Sequence, residues 1–321
     1  MQEISIYINA KSSTSDRFDW QKGLEEVLFR SQLNFRSPTT IAELEEGLES
    51  DAKRGVDSII SIGGDGTVNT MIQKLAGTNL NLYVAPGGTA NDLASELNSK
   101  RVMKDLSHVV RAKNTKKMDL ININGRYMAT NGGIGFAANV AEKINDLRKK
   151  FPAFKRLMGV TGRAIYPFMA ASEFLSINYK IYEFYIESEQ FTGKVRSPLI
   201  MVNNQKTIGQ TFEVAPQTKN DDGSFNVTIL THNNRAKLAN CMIRLASGAD
   251  PALDPNIITF ETKKMSITNL TDEKLSFFGD GEVFDNLQNT SHFEISVLEK
   301  GLNVFYNDLD PYAQGMEVHL S

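Results

Sequence analysis

Apolar positions in the first third of the chain recur in two alternating rhythms. Ile4–Asn9, Leu33–Arg36, Val56–Ile62 and Leu82–Ala85 are short runs that read as strands. Between them, Asp16–Arg30 and Thr40–Lys53 place apolar residues at helical spacing. Phe18, Leu24, Val27 and Leu28 mark the inner face of the first, and Ile41, Leu44 and Leu48 that of the second. Two more helices are expected, one from about Thr67 to Leu75 and one starting near Asn91. Strands alternating with helices of about ten to fifteen residues imply a parallel sheet. Ligands of such sheets bind outside the carboxyl ends of the strands.

The rhythm changes after about residue 115. Met118–Ile123 and Arg126–Thr130 flank Asn124-Gly125, a strong signal for a tight hairpin. Short strand-like runs follow at Tyr179–Ile186, Ser197–Asn203, Phe225–Leu230, Ile257–Phe260, Lys264–Ile267, His292–Val297 and Asn303–Tyr306. Helical stretches interrupt them at Phe136–Arg148, Arg156–Leu175 and Arg235–Leu245. The expected fold is an N-terminal α/β domain with a parallel sheet, residues 1–120, then a mostly antiparallel β-sandwich, residues 121–307. The tail from about 308 to 321 is expected to pack back on the first domain.

Two strand-to-helix corners carry candidate chemistry. Gly63-Gly64-Asp65-Gly66-Thr67 ends the run Val56–Ile62, and Pro86-Gly87-Gly88-Thr89-Ala90-Asn91-Asp92 ends the run Leu82–Ala85. Glycines let a backbone approach a polyphosphate closely. A helix beginning after each loop aims free N–H groups and partial positive charge at the same place. The Thr67 and Thr89 hydroxyls suit phosphate oxygens, and Asn91 is also a natural helix N-cap. Asp65 would repel phosphate unless a divalent cation sat between them, so the pair of loops points to a magnesium-nucleotide. A plain glycine turn is the alternative for either loop alone.

Composition narrows the picture modestly. The 321 residues are 41% apolar and 23% charged, within the range of globular proteins and long enough for two cores. Net charge of −3 offers no basis for binding nucleic acid. Cys241 is the single cysteine and reads as a core residue, which suits a reducing compartment. The four histidines show no metal-ligand spacing. Met1–Asn9 reads as a first strand and not as a signal peptide, and no apolar window of about 18 residues predicts a membrane span. Trp20 reads as helix packing.

One segment departs from the overall charge. Between Ala141 and Arg163, seven bases stand against two acids, with Phe151, Phe154 and Leu157 interleaved. Lys149, Lys150, Lys155 and Arg156 form its densest part and suit docking on an anionic bilayer. A solvated helix face is the plainer alternative. The expected location is cytoplasmic with peripheral membrane association.

The motifs in order resemble the diacylglycerol kinase catalytic family, which includes soluble bacterial lipid kinases and sphingosine and ceramide kinases. The two glycine loops are followed by Met118-Asp119-Leu120, Asn131-Gly132-Gly133-Ile134-Gly135-Phe136, Ala215-Pro216, Asp221-Asp222-Gly223, Asp280-Gly281-Glu282 and Lys300-Gly301-Leu302-Asn303-Val304. The likeness spans nearly the whole chain. It implies an ATP site between two domains, with Mg2+, and a lipid acceptor, diacylglycerol by default, with phosphatidylglycerol, monoacylglycerol or a sphingoid base as alternatives. Asn9, Ser12, Gly63, Gly64, Gly66, Thr67, Gly88, Thr89, Asn91 and Asp92 would bind the nucleotide, and Ser37 would stand near the adenine. The family usually shows Asn-Pro-x-Ser-Gly in its first loop, where this chain has Asn9-Ala10-Lys11-Ser12-Ser13.

The resemblance also assigns the chemistry of Asp280-Gly281-Glu282. Phosphoryl transfer to an alcohol needs a proton acceptor and a cation that neutralises charge. Glu282 or Asp280 is implied as base, with Asp65 positioning magnesium directly or through water and Asp222 holding a second, structural ion. Asp280-Gly281 reads equally as a hairpin turn, which is compatible with presenting a catalytic group. A homodimer is a candidate assembly. Two other functions compete: an NAD kinase, which also uses a Gly-Gly-Asp-Gly turn, and a non-catalytic nucleotide- or lipid-binding protein of the same fold.

Overall fold

The computed structural model describes residues 2–9, 20–87, 91–100, 103–136, 180–208, 212–246, 248–284, 287 and 290–308. The first half contains β1 (Glu3–Ile8), α1 (Trp20–Val27), β2 (Gln32–Arg36), α2 (Ile41–Arg54), β3 (Ser58–Gly63), α3 (Asp65–Leu75), β4 (Asn81–Pro86), α4 (Asp92–Glu96) and α5 (Met103–Ala112). Strands follow as β5 (Thr115–Ile123), β6 (Arg126–Met128), β7 (Asn131–Gly135), β8 (Tyr182–Ser188), β9 (Thr192–Ser197), β10 (Leu199–Asn203), β11 (Thr207–Ile208), β12 (Phe212–Glu213) and β13 (Phe225–Leu230). Helix α6 (Arg235–Ala246) precedes β14 (Ile257–Thr262), β15 (Lys264–Asn269), β16 (Phe277–Gly279), β17 (Glu282–Val283) and β18 (His292–Phe305).

Strands β2-β1-β3-β4 form the expected parallel sheet. Alternate residues of its strands serve opposite faces. Ile4, Ile6, Ile60 and Ile62 pack with Leu24 of α1 and Leu106 and Val109 of α5. Tyr7, Ile59 and Val84 pack with Leu48 of α2 and Val68 and Ile72 of α3. Trp20 is buried in the first of these cores, as its helical position suggested. Thr40 caps α2 by accepting from the Glu43 N–H, and Gly55 ends that helix in a left-handed conformation, φ 74°.

The second half is an antiparallel β-sandwich. One layer runs β14-β13-β10-β7-β16-β17; the other is the extension of the first sheet through β18, β15, β8 and β9, with β5 paired to β18. Ile123, Phe184, Ile200, Val227, Phe277 and Phe293 meet between the layers. Asn124 and Gly125, both at positive φ, make the β5–β6 hairpin anticipated from their sequence.

Several elements differ from the sequence reading. The runs His292–Val297 and Asn303–Tyr306 are one strand, β18, with a register shift between Leu298 and Leu302. Its start pairs with β15, and its end lies parallel to β4, so one strand serves both halves. Helix α3 begins at Asp65, two residues earlier than expected, while α4 is a single short turn-and-a-half. Helix α5 and strands β7, β9, β11 and β12 have no counterpart among the runs read from the sequence. Strand β7 is hidden by three glycines in five residues. They are needed because a Cβ on Gly132 would lie 2.2 Å from the Phe278 carbonyl oxygen, and one on Gly133 would lie 2.1 Å from that of Ile200.

The histidines are less scattered than their spacing suggests. His232 Nε2 lies 3.5 Å from Asp254 Oδ2, and with Cys241 these residues bring their ligand-type atoms within 4.8 Å of one another. Burial pushes the Cys241 thiol up to about 11, consistent with a core residue. Residues 137–179, which hold two of the expected helical stretches and Lys149, Lys150, Lys155 and Arg156, and the tail from 309 lie outside the described residues, while the expected stretch Arg235–Leu245 is α6. The last described positions do rest on the first half: the Asn307 N–H donates to the Leu97 carbonyl and Asn114 Nδ2 to Asp308 Oδ1. Among the described residues, no helix is long and apolar enough to cross a membrane.

Asp51 anchors α2 to β1. It is fully buried and accepts from the Tyr7 hydroxyl at 2.5 Å and from Arg36 and Arg54. Burial alone would raise its carboxyl, but the hydrogen bonds from Arg36 and Tyr7 and the Arg36 charge outweigh it and hold it below the usual range. Asp51→Ala should therefore lower stability by about 3 kcal/mol in urea unfolding at pH 7. Because the folded value is depressed, the Asp51 contribution is present above the unfolded carboxyl range near pH ~4 and is lost as pH falls through the folded value. The gap between wild type and variant should narrow in acid; a gap independent of pH would refute this assignment.

Candidate functional site

The two glycine loops touch at the carboxyl ends of β3 and β4. The Gly87 N–H donates to the Gly63 carbonyl at 3.0 Å, and a Cβ on Gly87 would lie 2.9 Å from that oxygen. No larger residue fits between these backbones. Asp65, the first residue of α3, accepts the Asn91 N–H at 3.1 Å on one oxygen and the Asp92 N–H at 3.2 Å on the other. One carboxylate thus sets the second loop against the start of α3. From the neighbouring strand, Asn9 Nδ2 donates to Thr67 Oγ1 at 2.7 Å, and the Asn9 N–H donates to the Ile62 carbonyl.

The structure therefore brings together Asn9, Gly63, Gly64, Asp65, Gly66, Thr67, Asn91 and Asp92. Asn91 holds the N-cap position of α4 in a left-handed conformation, φ 53°, and its side chain makes no capping hydrogen bond. Ser37 is exposed, one residue beyond the edge strand β2, with β1 standing between that strand and β3. Ser12, Gly88 and Thr89 lie outside the described residues.

Asp280 and Gly281 form the two-residue turn between β16 and β17, both at positive φ, 52° and 77°. The turn sends its two carboxylates to different tasks. Asp280 is buried and accepts from Asn69 Nδ2 at 2.8 Å, the Thr130 N–H and hydroxyl at 2.7 Å each, and the Ala129 N–H at 3.1 Å. Asn69 belongs to α3, so Asp280 clamps the hairpin to the helix that carries Asp65. Glu282 is half-buried on the other side of the turn: a Cβ built on Gly66 would lie 3.3 Å from Glu282 Oε1. The sequence left the base open between these two acids. With four donors on its oxygens, Asp280 is a clamp, and Glu282 is the carboxylate that faces the glycine loop.

Charge is concentrated here. Burial pushes the Asp65 carboxyl up, against the Asn91 and Asp92 N–H groups, and the nearby Asp280 charge adds to the push. Burial also raises Asp280, with the Thr130, Ala129 and Asn69 donors opposing it. Asp65, Asp92 and Asp280 line one cavity of about 10 Å³ with Asn69 and Thr130, the scale of a single water or ion. Val68, Ile72 and Leu93 complete its lining, and among the described residues these three carboxylates do not form a cluster of metal-ligand spacing.

Asp222 is exposed and accepts from the Ser224 N–H and hydroxyl, capping its own turn. The acid that organises this region is Asp119, buried on β5, which accepts the Gly223 N–H at 2.7 Å and the Lys300 N–H at 2.6 Å. Asp119 and Asn69 were not singled out for any role from sequence. Their signal was present: each is a polar residue within an otherwise apolar run or face.

The model of the diacylglycerol kinase catalytic domain matches residues 3–123, and that of the YegS C-terminal NAD kinase beta sandwich-like domain matches residues 133–305. The chain belongs to the diacylglycerol kinase catalytic family. Among curated relatives, the diacylglycerol kinase of Staphylococcus haemolyticus is 26% identical over 292 residues, 88% of this chain and 85% of that protein. The diacylglycerol kinase of Bacillus subtilis is 26% identical over 281 residues, 84% of this chain and 87% of the relative. A crystal structure of a diacylglycerol kinase from Bacillus anthracis shares the fold, with a TM-score of 0.69 at 17% identity, covering 96% of this chain and 97% of that one. Yeast NADH kinase complexed with NADH is more distant, with a TM-score of 0.53 at 10% identity over 100% of this chain and 89% of that chain.

In this member of the family, the two acids of the hairpin should separate cleanly by mutation. Asp280→Ala strands buried Ala129 and Thr130 N–H groups and should cost about 3 kcal/mol or more in chemical unfolding. Glu282→Ala should change stability by no more than about 1 kcal/mol. Equal losses would show that Asp280 is not the clamp.

Proposed function

We propose that the chain is an ATP- and Mg2+-dependent lipid kinase that transfers the γ-phosphoryl group to a lipid hydroxyl, with diacylglycerol as the default acceptor. One observation carries this reading: Glu282, on a hairpin more than two hundred residues along the chain, faces Gly66 at the start of α3 beside the two joined glycine loops. Proton acceptor and phosphate cradle then stand within reach of one reacting hydroxyl.

The roles follow from the contacts. Gly63, Gly64 and Gly66 admit the phosphates to the backbone, and the N-terminus of α3 directs N–H groups and partial positive charge at them. Asn9 and Thr67, already hydrogen-bonded to each other, are placed to orient phosphate oxygens. Gly88 and Thr89 belong to the same loop as Asn91, and Ser12 to the segment after Asn9. Glu282 accepts the acceptor hydroxyl's proton as the new O–P bond forms and the bond to the β–γ bridging oxygen breaks. Asp65 and Asp92 would hold Mg2+, with Asp280 behind them; the ion neutralises charge on the transferring phosphoryl. The raised carboxyls of Asp65 and Asp280 support this, since a cation offsets the charge that burial disfavours.

A bilayer-resident acceptor calls for work at the membrane surface, on the cytoplasmic side. Lys149, Lys150, Lys155 and Arg156 are the docking residues of this reading. Reversing all four charges should reduce co-sedimentation with anionic vesicles at low salt, each base contributing about 1 kcal/mol. Unchanged binding would remove the docking surface.

Catalysis is tested with labelled ATP, Mg2+ and either diacylglycerol micelles or NAD. Phosphatidic acid should form only with the lipid and only with the metal. Glu282→Gln should lower kcat by about 10²- to 10⁴-fold while ATP still binds. Product from NAD alone would overturn the assignment, and full activity in Glu282→Gln would remove the base.

A further inference from the structure

Past Asp92, α4 faces a polar recess that the phosphoryl-transfer reading leaves unused. Its volume is about 120 Å³. Asp92, Ser95 and Glu96 line it from α4, and Gln205 and Thr207 from the segment after β10. Asp92 also lines the small carboxylate cavity, so the recess and the proposed cation position share a wall.

The lining is chosen for hydrogen bonding. Gln205 is only 5% exposed, and its backbone N–H is tied to Asn131 Oδ1 at 3.0 Å. Its side-chain Nε2 is buried with no hydrogen-bond partner among the described residues. Leaving such a donor unpaired costs about 1–3 kcal/mol, so a ligand that accepts from it recovers that cost. Glu96 Oε1 accepts from Asn220 Nδ2 at 2.9 Å, which fixes the carboxyl at the domain junction. Ser95 and Thr207 add two hydroxyls. One amide donor, two carboxyls and two hydroxyls in so small a space suit a ligand group that both donates and accepts.

Diacylglycerol has no such group to spare. Once its single hydroxyl is at Glu282, only ester carbonyls and acyl chains remain, and none can donate to Glu96. A second free hydroxyl on an adjacent carbon can donate to Glu96 and accept from Gln205 at once. We propose that the recess is the head-group subsite of the acceptor, and that the preferred acceptor carries a second free hydroxyl beside the one phosphorylated. Monoacylglycerol and the glycerol head of phosphatidylglycerol both present that diol. The proposal rests on the lipid-kinase reading of the same site.

The experiment compares kcat/KM of the full chain with ATP and Mg2+ on diacylglycerol, monoacylglycerol and phosphatidylglycerol in matched micelles. At least one diol acceptor should exceed diacylglycerol by about tenfold or more. Monoacylglycerol and phosphatidylglycerol run as separate arms, so the favoured diol identifies its source. Gln205→Leu removes the donor, and Ser95→Leu fills the recess. Each should bring the diol-to-diacylglycerol ratio down about tenfold, chiefly through KM, with folding checked by Tm. Parity or a diacylglycerol preference in the wild type overturns the proposal, as does an equal fall on all acceptors in both variants. No turnover of any lipid overturns the lipid-kinase reading, and the head-group subsite with it.

Discussion

One buried carboxylate holds the site together. Asp280 takes a hydrogen bond from Asn69 on α3 and three from Ala129 and Thr130 ahead of β7. Helix α3 carries Asp65, Gly66 and Thr67 at its start, and the Asp280 turn carries Glu282 two residues on. Fixing Asp280 to α3 therefore fixes the distance between Glu282 and the glycine loop. A buried acid without donors would be costly, and removing its partners would leave an uncompensated charge. Here every contact that offsets burial also sets the geometry of the cleft.

A second carboxylate repeats the logic away from the chemistry. Asp119 accepts N–H groups from Gly223 and Lys300, gathering a loop of the sandwich and the irregular middle of β18 onto β5. Strand β18 then continues into the parallel sheet beside β4. The two halves are joined by a shared strand as well as by side chains, and such a junction resists sliding. Stiffness there suits a site whose groups come from both halves, because phosphoryl transfer depends mainly on positioning and charge.

The same junction concentrates negative charge. Asp65, Asp92 and Asp280 surround one small cavity, and burial disfavours the ionised forms of Asp65 and Asp280. The recess beside it is different in kind, with Gln205, Ser95 and Thr207 supplying neutral polar groups next to Glu96. Asp92 is the wall between a cavity edged by carboxylates and a recess that mixes carboxylates with neutral polar groups.

Much of this was legible in the linear sequence. The parallel order of β1, β3 and β4 follows from strand runs separated by helical periods, and Asn124-Gly125 and Asp280-Gly281 announce their turns through the positive φ that such pairs tolerate. The glycine loops declare a close backbone approach. What escaped were elements whose signal is not local. Strand β7 is masked by glycines required only because Phe278 and Ile200 pass so near, and His232, Cys241 and Asp254 meet only because α6 folds back. By itself the sequence determined which residues can turn, cap, bury or carry charge, since those properties depend on a few neighbouring torsions and on periodicity. Only the tertiary structure decided that Asp280 is a clamp and Glu282 faces the loop. Asp280's partner Asn69 is 211 positions away, and packing, not spacing, chooses which carboxylate its donors reach.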